Sequence, residues 1–220
     1  MSGCACWFTA WLLAQANAAE AEPALPAPTE VLAELNRLRQ DPRGFAPGLE
    51  EWLSWFDGSL LRRPGEMTLR TREGKTAVEE ALAFLAEAKA APSLHLSPGM
   101  SRAALEHATD LGTSGETGHT GSDGSNPSQR LRRYGTWRGK VGENLAFGES
   151  AARRVIQLLL VDDGVPDRSH RQSLLERRFG FVGIACAPHP VYRVVCVIDL
   201  ATTYEEKEPS LGSPSEERKP

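Results

Sequence analysis

Residues 118–144, GHTGSDGSNPSQRLRRYGTWRGKVGEN, and residues 161–175, VDDGVPDRSHRQSLL, decide how this chain is read. Together they place His119, His170, Glu143 and the pair Asp162–Asp163 in loops or at the ends of regular elements. Gly118, Gly121, Gly124, Gly142 and Gly164 interrupt regular structure around these side chains. Such interruption is how a scaffold presents polar groups at a cleft. Two imidazoles with two carboxylates can bind a divalent transition metal or share protons, and the spacing by itself does not separate the two.

Outward from this stretch, helical periodicity predominates upstream and strand patterning downstream. A helix is expected from Thr29, as N-cap, to Asp41–Pro42, with Leu32, Leu35 and Leu38 on its buried stripe. A second runs from about Pro42 to Phe56 around Phe45, Leu49 and Trp52, and residues 57–75 read as a long loop. Thr76–Ala90 is amphipathic, and another helix starts at Ser97–Pro98 and fails at Gly112. His107 lies within that helix and reads as a hydrogen-bonded structural residue. Asn126–Pro127 opens a short helix bearing Arg130, Arg132 and Arg133, which with Arg138 and Lys140 form a basic patch read as a solvated face or, alternatively, as a contact for an anion or lipid headgroup. Then follow a short strand over Val141–Phe147, an apolar helix over Glu149–Leu160, and further helical turns over Arg171–Arg177. Phe179–Cys186 and Tyr192–Ala201 form an antiparallel hairpin signal. Helices around a small antiparallel sheet, with strands late in the chain, indicate an α+β layered domain.

The 220 residues, 40% hydrophobic, suffice for one sizeable core, and the formal charge of −4 argues against a dedicated nucleic-acid binder. No run of about eighteen apolar residues marks a transmembrane protein. Cys4–Ala16 is short, apolar and followed by small residues, so residues 1–19 read as a secretory signal and the chain as secreted or periplasmic. Residues 20–28 are an Ala/Pro linker, 29–203 the domain, and the polar residues 204–220 a disordered tail. Loss of the signal leaves Cys186 and Cys196, either bridged or as two buried thiols. A tight turn centred on His189 misses the register a bridge needs, and a loop of about five residues meets it.

Several ordered pieces make the chain resemble the CAP superfamily of cysteine-rich secretory, antigen 5 and pathogenesis-related proteins, in its bacterial SCP-like branch. They are LNRLRQDP (35–42), GHTGSDGS (118–125), GENLAFG (142–148), DDGVPDRSHRQSLL (162–175) and the closing FVGIA…VCVIDLA hairpin. The resemblance implies a three-layer α-β-α sandwich with a central cleft faced by two histidines and two acidic residues able to hold zinc or another divalent cation. By motif these are His119, Glu143 and His170. Asp163, or its neighbour Asp162, stands where the family has its second glutamate. The implied role is a ligand-binding or interaction module for a small apolar or lipid-like molecule or a cell-surface partner. The alternative is a metal-dependent extracellular hydrolase. No catalytic residue is assigned, because no nucleophile elbow accompanies the histidines.

Overall fold

The computed structural model describes residues 24–66 and 68–207; the expected signal segment and the residues after Lys207 lie outside the described residues. The N-terminal part contains α1 (Pro28–Gln40), a 3₁₀ turn (Arg43–Phe45), α2 (Pro47–Ser54), the short strands β1 (Phe56–Asp57), β2 (Leu60–Leu61) and β3 (Leu69–Arg70), and α3 (Lys75–Glu87). There follow β4 (His95–Leu96), α4 (Pro98–Ser114), α5 (Pro127–Tyr134), β5 (Gly135–Phe147), α6 (Ala152–Val161), α7 (Ser169–Leu175), β6 (Phe181–His189) and β7 (Arg193–Glu206). The main sheet has the order β4-β6-β7-β5. Its long strands are antiparallel, and β4 joins β6 in parallel.

Strand alternation sorts β7 between two helical layers. Val194, Cys196, Ile198 and Leu200 join the large core built with α1, α2, α3, α6 and α7. Val195 and Val197 turn the other way, onto Ala104, Ala108 and Leu111 of α4. Ala201 packs with Met100, Ala103 and Leu131, the last from α5. The result is the three-layer α-β-α sandwich expected from the sequence. Arg39 of α1 is buried and donates to the carbonyls of Pro92, Leu174, Glu176 and Phe179, which ties the exit of α7 to α1.

Several boundaries differ from the sequence reading, each for a physical reason. Thr29 is not the N-cap of α1. Ala27 holds that position, Pro28 presets the first turn, and Glu30 accepts from the Ala27 amide. α4 does not fail at Gly112 but continues to Ser114 and ends on Gly115 at φ 74°. Gly112 is a close-approach glycine, since a Cβ there would sit 2.3 Å from the Pro188 carbonyl oxygen. Residues 57–75 are not all loop, because β1, β2 and β3 pair into a small antiparallel sheet of their own. β5 starts at Gly135, not Val141, and its first residues pair with Glu206 and Glu205. Tyr204–Glu206 is therefore strand instead of tail: Tyr204 is buried and its hydroxyl donates to Leu131 O. The β6–β7 turn centres on Val191, with His189 opposite Arg193, so Cys186 and Cys196 are direct neighbours and are disulfide-bonded.

Gly112 gives a test of sign. Helix propensity alone makes Gly112→Ala stabilising by up to about 1 kcal/mol. The contact with Pro188 O predicts a loss of about 1–3 kcal/mol instead, read as a lower urea midpoint at unchanged slope.

Candidate functional site

Glu143 lies on β5, the open edge of the main sheet, and faces α4 and α5. Its side chain is buried, and three groups converge on it. His119 Nδ1 is 2.8 Å from Glu143 Oε1, and a terminal guanidinium nitrogen of Arg130 donates to Oε2 at 2.7 Å. His107 Nε2 lies 3.8 Å from Oε1 and donates to Gly118 O at 2.9 Å. An ionised carboxylate only accepts, so His119 Nδ1 carries the hydrogen, and in the neutral ring Nε2 is then the acceptor. Arg130 also donates to His119 O and Ser125 O, which clamps the glycine-rich loop onto α5. α5 is itself fixed at its start by a reciprocal Asn126–Gln129 capping box. Asp110 of α4 completes the loop by accepting from the Ser122 amide and hydroxyl.

His170 is held by the same logic on the other face of the sheet. α6 ends on Asp162 in the left-handed region, φ 59°. Asp162 Oδ1 accepts from His170 Nδ1 at 2.6 Å, and Oδ2 accepts from the His170 and Arg171 amides at the start of α7. Asp163 is not the partner of His170. Its carboxylate accepts from the Arg72 and Glu73 amides and pins the segment before α3. The left-handed turn at Asp162 sends the two aspartates in different directions, so the second acidic group beside the histidines is Asp162. Ser173 of α7 donates to Asn144 Oδ1 at 2.7 Å. Asn144 follows Glu143 on the strand and points to the opposite face, so the two His–carboxylate dyads approach the edge strand from either side.

Residues 32–199 match the CAP, cysteine-rich secretory protein family. The chain belongs to the CAP family. No curated protein matches it. Among solved structures, an outer surface protein from Borrelia burgdorferi is similar at 23% identity and a TM-score of 0.43, over 53% of this chain and 80% of that one. An extracellular protein containing an SCP domain from Bacillus anthracis is similar at 21% identity and a TM-score of 0.41, over 50% of this chain and 34% of that one.

Within this CAP domain the donors fit a metal ion poorly. Both oxygens of Glu143 are engaged, one of them by a guanidinium, and both oxygens of Asp162 are engaged by α7. Among the described residues no group of three or more His, Cys, Asp or Glu side chains is disposed to hold a metal. What the two dyads leave free is one ring nitrogen on His119 and one on His170, short of the three protein ligands a catalytic zinc takes.

Of three buried residues beneath His119, Arg130 departs from the sequence reading, His107 agrees with it and Asp199 escapes it. Arg130 belongs to no solvated face; its side chain is 2% exposed. His107 is structural, as expected, and burial pushes its ring toward the neutral form. Asp199 of β7 is fully buried directly across from Glu143, and neither of its oxygens has a hydrogen-bond partner among the described residues. An acid alone in the apolar run VVCVIDLA was the signal for it. Burial and the neighbouring Glu143 anion push the Asp199 carboxyl well above the usual range, which holds it as the neutral acid. Burial opposes the charge of Glu143, but His119 and Arg130 outweigh it and hold that carboxyl below its usual range. Two adjacent carboxyls are thereby set apart, one ionised and one protonated.

The pair makes stability depend on pH with opposite signs. Asp199 has a raised folded pKa, so its contribution is complete below about pH 4 and is lost as pH rises above that. Glu143 has a lowered one, so its contribution is present above about pH 4.5 and is lost on acidification. Asp199→Asn stays neutral throughout. Relative to wild type it gains stability as pH rises above about 4 in urea unfolding, whereas parallel curves contradict a raised Asp199 carboxyl.

Proposed function

We propose that this CAP domain is an exported binding module whose recognition surface is the edge of β5 between the two histidines. The observation that carries the reading is the matched construction of the dyads. Each histidine is tied at Nδ1 to a buried carboxylate, at 2.8 Å and 2.6 Å, and at neither is Nε2 hydrogen-bonded among the described residues. A neutral imidazole so held is an oriented hydrogen-bond acceptor. The complementary ligand is a small, hydroxyl-bearing, lipid-like molecule such as a sterol. The hydrolase alternative gains nothing from this geometry, because the carboxylates that would serve a metal or a water are already engaged. Export is supported by the Cys186–Cys196 disulfide, which persists in oxidising compartments. Among the described residues no helix is long and apolar enough to cross a membrane.

The test is binding of radiolabelled cholesterol to wild type and to the His119→Ala/His170→Ala double variant. Saturable binding, weakened about tenfold or more in the double variant with an unchanged circular dichroism spectrum, is expected. Zinc is expected to leave both isotherms where they are. No saturable binding by wild type, or equal binding by the two proteins, removes the reading.

A further inference from the structure

We infer that the chain carries a second binding site, separate from the dyads, for a small aromatic anion. The site is a recess of about 560 Å³ where the β6–β7 turn, the β5–α6 connection and the β2–β3 connection converge. Its walls include Leu69, Glu149, Arg154, Val191, Tyr192 and Arg193. The volume falls among those of small-ligand pockets. Gly148, which follows β5 and forms part of its wall, is five positions from Glu143, roughly 16 Å along an extended chain.

Exposed apolar side chains concentrate here. Of the described residues, Leu25, Leu69, Leu105, Val191 and Tyr192 are the exposed large hydrophobics. Leu69, Val191 and Tyr192 line the recess, and Leu25 follows Ala24, which lines it too. Singly scattered apolar residues need no explanation, but a gathered set around one concavity points to a ligand. The turn that presents Val191 and Tyr192 is braced by hydrogen bonds. His189 is buried, its Nδ1 accepts from the amides of Val191 and Tyr192, and its Nε2 donates to Glu116 O. The Tyr192 ring stands 5.2 Å from Phe147 and 5.2 Å from His189. The disulfide closes the hairpin three residues before His189, at Cys186, and three after Arg193, at Cys196. Val191 is thus held 67% exposed and Tyr192 45% exposed, so binding a ring there requires little further ordering.

Charge decides the ligand's sign. Arg63 engages both acids of the recess, Glu149 at 2.7 Å and Glu66 at 2.9 Å, and Arg154 adds a second contact to Glu66. Arg193 lines the same recess and has no carboxylate partner among the described residues. Three arginines against two carboxylates leave one positive charge, beside an apolar rim. A ring laid against Tyr192 and Leu69, with a carboxylate facing Arg193, satisfies both features.

The probe pair is 2-naphthoate and its uncharged isostere 2-naphthamide, titrated by ligand-observed NMR. Naphthoate is expected to bind about three- to fivefold tighter than the amide, the scale of a rim ion pair. Arg193→Gly should erase that preference while preserving the fold, since Arg193 sits at φ 68°, where glycine is at ease. Tyr192→Ala should weaken both probes up to about tenfold. His119→Ala should change neither, so failure of the sterol reading leaves this inference standing. Equal affinities of the two probes in wild type, an unaltered preference in Arg193→Gly, or loss of binding in His119→Ala overturns it.

Discussion

The contact between Arg130 and Glu143 is the constraint on which this region of the molecule depends. Both side chains are essentially out of water, 2% and 1% exposed, and the 2.7 Å bond joins α5 to the open edge of the sheet. Burying two ions costs several kcal/mol, and their attraction offsets it only when the remaining hydrogen-bonding groups are also satisfied. That condition is met at both terminal nitrogens of the guanidinium, which donate to the loop carbonyls of Ser125 and His119 as well as to Glu143, and at Glu143 by the His119 ring; Arg130 Nε alone has no partner among the described residues. The glycine-rich loop therefore has its course set by a charge pair, with no hydrophobic core of its own. Its glycines allow the path, and Arg130 selects it.

Asp199 shows how far that arrangement extends. A fully buried carboxyl directly across the strands from the Glu143 anion, with no donor to it among the described residues, would be untenable if ionised. Kept neutral, it leaves Glu143 as the one negative charge between Arg130 and His119. The second dyad reaches the same end by different means, a helix C-terminus turned left-handed at Asp162 and the amides of α7. Each histidine is oriented by a carboxylate that is itself committed, which favours recognition by the free ring nitrogens over proton transfer through the acids.

Much of this was legible in the sequence, and the failures have particular causes. Glycine interruptions drew the reading to His119, Glu143 and His170, which the structure places in the two His–carboxylate dyads, and the order of motifs specified the layered fold. The choice between Asp162 and Asp163 hinged on a single left-handed φ that neighbouring residues do not encode. Arg130 read as surface because a helical arginine is normally solvated, and only its distant partner on β5 makes burial tolerable. The extra length of β5 was invisible for a related reason: Gly135–Lys140 has weak strand character and becomes strand by pairing with the end of β7, itself polar in composition. Gly112 misled in the other direction, read as a helix breaker when its missing side chain serves a contact with the Pro188 carbonyl.

The most direct measurement is the tautomer of the two rings, from ¹⁵N-edited NMR of the neutral histidines in wild type and in Glu143→Gln. Carboxylate-held dyads predict the hydrogen on Nδ1 and an unprotonated Nε2 for both His119 and His170, with the Glu143→Gln change disturbing His119 alone. A hydrogen on Nε2 of either ring in the wild-type protein, or a His119 signal indifferent to Glu143, would contradict the proposed construction of the site.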